Sequence, residues 1–440
     1  MRVIRRGKNI SDFEKKNGRK NEQGVIILLV AVFMLFVVGA MAALAIDVVT
    51  LYTARSEAQL AADAGALAGA RVLANSGVTS DTTGVWTSNA EATAATVATQ
   101  AATHNDVGGV RLVNGQVSVS FTNDAAPALN PRVTVQVQVN TLPRFFSRIW
   151  GNQQLAVSAS ATAEAYNPSG AGAVGGPPVA PVCVKPWLLP NIDPSNPPRQ
   201  IFDPATGIIQ PTASTLLGWT TPAPPPPNPT RLTLLCPGGD CSGPPTPQVW
   251  QYYPGDPASF VPPTKALPSC NPALTTAYEE SIAGCIQTPI ACNSQVNIDM
   301  SIYASRTAET VSAVNCLTHG AANGGDQIDL SGLSPPFQFI AGIDNPVAQP
   351  GNDVMVSDSL VTVPVYDSSG GLAPTNPVQI IGFVQLFLSP QGGAVPASGD
   401  IETTVVNVAG CGTPGNGGAS GQPILGHGAS PVAVRLITPP

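Results

Sequence analysis

The feature that most constrains this chain is an uninterrupted apolar segment near its N-terminus. Val25–Ile46 is 22 residues long and contains no charged side chain. As an α-helix it would be about 33 Å long, which is enough to cross the hydrocarbon core of a bilayer. The sequence therefore predicts a transmembrane helix at residues 25–46.

Two other interpretations of this segment were weighed against a retained anchor. Ala43-Leu44-Ala45 resembles the small-residue site at which secretory signals are cut, but the apolar run exceeds the usual length for such signals. A soluble core helix fits poorly with the basic residues that precede the run. Arg5-Arg6 lies too far upstream for a twin-arginine signal, so we treat it as part of the charge that sets topology.

Charge is distributed unevenly along the chain. Residues 1–23 hold eight basic and three acidic residues, a net charge of about +5, whereas the rest holds twelve basic and 24 acidic residues, about −12. Because basic flanks stay in the cytoplasm, we predict a cytoplasmic tail at residues 1–24 of a single-pass membrane protein. The chain after Asp47 would then be extracytoplasmic. Its few scattered basic residues make nucleic-acid binding implausible.

Cysteine usage agrees with this topology. All eight cysteines lie at or beyond Cys183, and an even number in an exported segment favours disulfides. The close spacings Cys236/Cys241 and Cys285/Cys292 are read as halves of disulfides rather than as metal sites. Spacing alone leaves the connectivity open.

Residues 47–74 are predicted to continue the membrane helix without a linker, because Ala, Leu, Gln, Glu and Arg dominate there. Helical spacing places a mostly polar stripe on one side, formed by Tyr52, Arg55, Gln59 and Asp63. It also aligns a row of small residues, namely Ala58, Ala62, Gly65 and Gly69. Such a row allows close approach, either of the chain's own domain or of other copies and partners in a helical assembly.

Alternating and helical patterns organise residues 47–166 into one expected α+β unit with a small antiparallel sheet. A second alanine-rich helix is expected at Glu91–His104, and Phe145–Gly151 is interpreted as a short amphipathic turn. The expected strands are Gln116–Phe121, Arg132–Val139 and Leu155–Ala165.

The remainder changes composition abruptly, with three prolines before residue 167 and 42 after it. Residues 167–182 are predicted to be a Gly/Pro linker, and residues 183–323 a Pro/Cys-rich disulfide region with a polyproline stretch at Pro222–Pro229. Short helices are expected at Thr275–Ile286 and Ser301–Thr318. Residues 324–440 are predicted to be β-rich, with strands at Ser359–Val365, Val378–Leu388 and Ile401–Val408.

No pattern in the sequence indicates catalysis, a metal or a cofactor. The three histidines, His104, His319 and His427, are expected in exposed loops or at a helix end. Asp367 and Ser369 match the start of a metal-ion-dependent adhesion motif, but Gly371 stands at its last place, so a turn is expected. We therefore predict a protein that is not an enzyme, with no catalytic, cofactor-binding or metal-binding residues.

The stretch that follows the apolar run resembles the N-terminal region of TadE/TadG-like proteins of the tight-adherence (Flp) pilus system. The chain departs from that pattern at Val49, Ala58 and Gly65, and Phe145–Ala165 resembles the end of the family's first unit. The residues that carry the resemblance are Ala45-Ile46-Asp47, Tyr52, Arg55, Gln59, Ala61-Ala62-Asp63-Ala64 and Leu67-Ala68-Gly69-Ala70.

This resemblance implies a pilin-like helix, half in the membrane and half packed on a small sheet. It also implies a non-catalytic component, anchored in the bacterial cytoplasmic (inner) membrane, that scaffolds or anchors a pilus assembly or secretion apparatus. Its partners would be other apparatus proteins, with possible self-association through the Ala/Gly-rich helix. Prepilins are cut after a Gly with Glu at the fifth mature position, whereas Leu29 is fifth after Gly24, so we expect the span to stay uncut. The alternatives are a processed minor pseudopilin, or a membrane-anchored enzyme, adhesin or carbohydrate-binding protein.

Overall fold

The computed structural model describes residues 11–81, 87–122, 130–142, 154–167, 178–194, 198–210, 230–234, 249–260, 262–264, 267–299, 307–320, 324–329, 337–352, 356–371, 375–411, 424–425 and 430–437. The helices are α1 (Ser11–Ala74), α2 (Thr87–Thr103), α3 (Ala277–Ala283) and α4 (Thr307–Leu317). The first strands are β1 (Asp106–Val107), β2 (Val110–Arg111), β3 (Val117–Thr122), β4 (Arg132–Val139), β5 (Val157–Tyr166), β6 (Val179–Ala180), β7 (Trp187–Pro190), β8 (Thr230–Leu234) and β9 (Val249–Pro254). The later strands are β10 (Gln295–Val296), β11 (Gln327–Asp329), β12 (Gln338–Ile340), β13 (Leu360–Tyr366), β14 (Val378–Leu388), β15 (Ile401–Gly410), β16 (Ile424–Leu425) and β17 (Ala433–Ile437).

Helix α1 is one continuous rod of 64 residues, about 96 Å long. Its most apolar 18-residue window has a mean hydropathy of 3.1 and is not buried in the protein, so the helix is long and apolar enough to cross a membrane. The rod ends at Ala74, before Gly77 adopts a φ of 81°, a left-handed conformation that favours glycine. The predicted continuation of the span into a second helical segment is confirmed.

The second half of α1 packs on a four-stranded antiparallel sheet, and we call this unit the proximal domain. Its strand order is β17-β5-β4-β3, with α1 against β4 and β5 and with α2 against β3. In β4 every second residue is buried, which is the alternation that predicted the strand. The structure thus confirms the three strands and the second helix predicted for residues 47–166.

The fourth strand of this sheet comes from the end of the chain. β17 pairs antiparallel with β5, and Ala433 lies opposite Tyr166. The chain therefore leaves the proximal domain and returns to it at adjacent positions. We call the described residues between these two positions, from 178 to 425, the head.

The centre of the head is a closed sheet. Its strand order is β10-β14-β13-β7-β9-β8-β15, and additional pairing of β14 with β15 closes six of the strands into a ring. The pairs β7–β13 and β8–β9 are parallel, and the other pairs of this sheet are antiparallel. Each of the six ring strands has a neighbour on both sides, and the core is filled by large side chains that include Trp187 and Trp250.

The sheet draws its strands from both sides of residue 323. β7, β8, β9 and β10 belong to the Pro/Cys-rich segment, whereas β13, β14 and β15 belong to the segment expected to be β-rich. Strand β6, at the end of the expected 167–182 linker, pairs in parallel with β16. Hydrogen bonds between strands thus connect segments that were predicted to be separate on the basis of their composition.

The overall α+β class, with an N-terminal membrane-type helix followed by sheets, is confirmed. α3 and α4 lie inside the two ranges expected to hold short helices, and β13, β14 and β15 coincide with the predicted strands. The expected amphipathic turn at Phe145–Gly151 and the polyproline stretch at Pro222–Pro229 lie outside the described residues.

Candidate functional site

The histidines singled out in the sequence are placed apart from one another. His104 follows α2, and its Nδ1 lies 2.7 Å from the carbonyl oxygen of Gln100. His319 lies in a turn after α4, where Nε2 is 3.1 Å from Asp358 Oδ2. That hydrogen bond raises the pKa of His319 above its usual value. His427 lies outside the described residues.

The Asp367–Gly371 segment forms a turn, as predicted. The backbone N–H of Ser369 donates to Asp367 Oδ1 at 2.9 Å, and that of Gly371 donates to the carbonyl of Ser368 at 3.0 Å. The side chain of Asp367 therefore serves its own turn. Across the described part of the chain, no group of three or more His, Cys, Asp or Glu side chains could hold a metal ion.

Disulfides join distant parts of the head. Cys285 and Cys292 do not pair with each other: Cys285 bonds to Cys183, and Cys292 bonds to Cys411. A third bond joins Cys270 in the loop before α3 to Cys316 in α4. The prediction of disulfides is confirmed for these six residues, and Cys236 and Cys241 lie outside the described residues.

The small-residue row of α1 faces the protein's own proximal domain. A Cβ on Gly65 would come within 2.9 Å of the Ala98 carbonyl oxygen, and one on Gly69 within 3.0 Å of Val133 Cγ1. Ala58 and Ala62 are fully buried. Of the two interpretations of this row, the structure supports packing within the chain, because α2 and β4 occupy it.

The polar stripe of α1 runs along the edge of that contact. Gln59 Nε2 donates to Asp63 Oδ1 at 2.8 Å and to the Ser160 carbonyl of β5 at 3.2 Å. Tyr52, at the end of the stripe nearest the membrane-type segment, is exposed. Part of the stripe therefore holds the helix on the sheet.

The most distinctive polar site of the described residues is a buried junction between the end of α1 and the head. Asn407 on β15 donates from Nδ2 to the carbonyl of Ala74 and to Gln385 Oε1 on β14, the latter at 2.7 Å. Gln385 Nε2 in turn donates to Asn75 Oδ1 at 3.3 Å. Asn407 and Gln385 are opposite each other on paired strands and are almost fully buried.

A second set of bonds lies beside this one. Ser80 Oγ donates to the carbonyl of Val408 at 2.9 Å and accepts from the Val408 N–H at 3.0 Å. Asn167, directly after β5, donates from Nδ2 to the same carbonyl at 2.9 Å and to that of Thr79 at 3.3 Å. Its own N–H donates to Asn130 Oδ1 at 2.9 Å. The rod, the proximal sheet and the head therefore share one hydrogen-bond network, which we call the junction.

An ion-pair cluster lies near the junction, where the chain leaves the proximal domain after β5 and returns to it through β17. Glu164 on β5 lies between Arg435 on β17, with N–O distances of 2.8 and 3.0 Å, and Arg132 on β4, at 3.4 Å. The Arg435 guanidinium also lies 4.8 Å from the centre of the Tyr166 ring. Burial raises the pKa of Tyr166 to about 12, so its hydroxyl stays protonated at ordinary pH.

A buried lysine holds helix α3 in the head. Lys185 Nζ donates to the carbonyls of Ile282 and Gly284, at 2.6 and 2.8 Å, which are carbonyls at the C-terminal end of α3. Burial lowers the pKa of Lys185 to about 7. Cys183 and Cys285, which flank this contact, are disulfide-bonded.

Sequence reasoning missed the junction because its members are far apart in the chain. A weak signal was present in the strands: Gln385 is the one polar residue in residues 380–388 of β14, and Asn407 is the one polar residue in residues 405–410 of β15. A buried polar side chain must find a partner, so these positions could have been identified as contact points, although without their partners.

Comparison with known protein families gives a match at the N-terminal end of the chain. Residues 24–72 match the family described as putative Flp pilus-assembly TadE/G-like. This confirms the resemblance seen in the sequence for that region and supports involvement in Flp pilus assembly, with membrane anchoring through α1. Comparisons with curated proteins and with solved structures give no match.

Proposed function

We propose that this chain, whose residues 24–72 are TadE/G-like, is a non-catalytic scaffold of the tight-adherence (Flp) pilus apparatus. It would hold its head at a fixed position relative to the bilayer. The observation that carries the proposal is the continuity of α1: one helix runs from the membrane-type segment to the junction without a break. A chain that only needed tethering would work with a flexible linker.

The contacts of the rod support a stiff connection rather than a tether. α1 is packed along one side on α2, β4 and β5, so bending it would separate buried surfaces. At its end, Ala74, Asn75 and Ser80 hydrogen-bond to β14 and β15 of the head. The head is also connected covalently at two adjacent positions, through β5 and β17.

Charge and cysteine chemistry support the orientation of the scaffold. The basic residues 1–24 would lie in the cytoplasm and the disulfide-bonded head in the periplasm, at the inner membrane. Its partners would be other membrane proteins of the apparatus. Incorporation into the fibre through the small-residue row is disfavoured, because α2 and β4 fill that row.

The experiment is complementation in a bacterium that carries this gene and assembles these pili. The gene is deleted, and the strain receives either the wild-type chain or a chain whose residues 1–46 are replaced by a cleavable secretory signal. Pili sheared from the surface are quantified, and immunoblots of membrane and periplasmic fractions control for protein level and oxidation.

We expect pili to be lost on deletion, restored by the wild-type chain, and not restored by the secreted form at equal protein level. Normal piliation of the deletion strain would contradict a role in assembly. Full rescue by the secreted form would contradict anchoring as the function. Recovery of the chain in sheared fibres with its N-terminus at Val25 would assign it to the pseudopilins instead.

A further inference from the structure

On one side of helix α1, burial begins inside the charge-free run, three residues before the run ends at Ile46. Ala43 is 8% exposed and Asp47 5% exposed. Helical spacing places both on the same stripe as Ala54 and Ala58, which face the proximal domain. The protein therefore covers α1 down to a position three residues before the end of the Val25–Ile46 run, and the first acidic residue after the run faces inward.

The opposite side of the same turns is apolar and exposed. Val48 and Val49 are 42% and 63% exposed, and Tyr52 is 70% exposed. No charged side chain appears on this side before Arg55. The outward surface of the membrane-type segment therefore continues past Asp47 for about one and a half turns.

The hydroxyl groups in this stretch are already satisfied by the helix. Thr50 Oγ1 donates to the carbonyl of Ile46 at 2.9 Å, and Thr53 Oγ1 donates to that of Val49 at 3.0 Å. A hydroxyl bonded to its own backbone loses little when water is removed. These turns can therefore contact lipid at low cost.

The length of the helix agrees with the thickness of the hydrocarbon core and of the headgroup region. Val25–Ile46 spans about 33 Å, close to the roughly 30 Å hydrocarbon core. The headgroup regions add about 10–15 Å to the core over both sides together. Residues 47–52 add about 9 Å on the outer side, which is enough to cross one headgroup layer. Tyrosine is enriched at that boundary, and acidic residues at membrane depth turn toward protein, as Asp47 does.

We propose that lipid covers the outer side of α1 as far as Tyr52, so that the lower end of the proximal domain is seated in the headgroup layer. The partner of this surface is the bilayer, because the surface continues the apolar span without a charged side chain and its threonine hydroxyls are bonded to the helix backbone. The inference rests on membrane anchoring and is independent of the pilus role. Seating would add a second support to the rod, since the domain and the helix would both contact the membrane.

Nitroxide accessibility in the full-length protein tests this seating. Single cysteines are introduced at exposed positions, Leu35→Cys in the span, Val49→Cys in the proposed contact and Leu60→Cys above it, and each is spin-labelled. The protein is reconstituted in vesicles of phosphatidylethanolamine and phosphatidylglycerol. Collision rates are measured with oxygen, which concentrates in lipid, and with a water-soluble nickel chelate.

We expect the ratio of oxygen to nickel collisions to be highest at position 35, and severalfold higher at position 49 than at position 60. Equal ratios at positions 49 and 60 would place Val49 in water and overturn the proposal. Exclusion of both reagents from position 49 would also overturn it, because a protein surface would then cover the site.

A measurement on the wild-type chain guards against effects of substitution. A carbene precursor dissolved in the bilayer is photolysed, and labelled residues are located by mass spectrometry of peptides. Labelling should extend through Tyr52 and spare Leu60. Labelling that stops at Ile46 would refute the seating, and neither result would alter the complementation experiment.

Discussion

The side-chain amide of Asn407, on a strand of the head, donates a hydrogen bond to the main-chain carbonyl of Ala74, the last residue of α1. The two residues are 333 positions apart. A carbonyl at a helix C-terminus has no partner within the helix and needs one from elsewhere. The head supplies that partner, which connects the end of the rod to a strand of the closed sheet.

Replacing Asn407 should loosen the head on the rod. In Asn407→Ala, the Ala74 carbonyl and Gln385 Oε1 each lose a buried donor, which should cost about 1–3 kcal/mol. Hydrogen exchange of full-length protein in detergent should become faster in residues 74–81 and in β15. Asn114→Ala, at an exposed turn, is the control, and equal exchange in both variants would show that the junction is not a stabilising contact.

Gly65 should not tolerate replacement even by alanine. Although Ala is normally about 1 kcal/mol better than Gly in a helix, its Cβ would stand 2.9 Å from the Ala98 carbonyl oxygen. We expect Gly65→Ala to destabilise the proximal domain by about 1–3 kcal/mol in denaturant unfolding. Gly39→Ala, with nothing within 4 Å of the new Cβ, should not destabilise the protein. A stabilised Gly65→Ala variant would mean that α2 does not approach α1 this closely.

Glu164 should hold the C-terminal strand in place. Glu164→Gln removes the charge that binds Arg435 and Arg132, and the buried position of Glu164 predicts a loss of about 2 kcal/mol. Limited proteolysis should then release the segment that contains β17. Asp106→Asn breaks an exposed pair with Arg111 at 3.7 Å and should have little effect. Protection of β17 in both variants would show that strand pairing alone secures it.

Lys185 should make the stability of the head depend on pH. Its pKa is about 7 when folded and near 10.5 when unfolded, so between these values the unfolded chain binds one more proton. The free energy of unfolding should therefore rise with pH across that window, by at most about 1.4 kcal/mol per unit from this residue.

The measurement is denaturant unfolding of the wild type and of Lys185→Met at several pH values between 7 and 10. The slope should be smaller in the variant, whatever its absolute stability, because methionine does not titrate. Equal slopes in the two proteins would show that Lys185 is charged in the folded state throughout this range.

The local elements of this protein could be predicted from its amino-acid sequence. A charge-free run of 22 residues predicts a membrane-type helix, and helix-forming residues after Asp47 continue it. Alternation in Arg132–Val139 determined a strand and its buried face, and cysteine number and position indicated disulfides. These properties depend on neighbours within a few residues, so a local pattern carries them.

Which elements contact one another could be seen only in the folded chain. Periodicity shows that a face is apolar but not what covers it, so the sequence could not choose between α2 and a second copy for the Gly65 row. Likewise, the pairing of β17 with β5, the closure of β14 on β15 and the bond from Cys292 to Cys411 join positions far apart in the chain. The inward position of Asp47 has the same origin: its sequence neighbours mark the end of a span, and only packing shows which side of the helix faces protein.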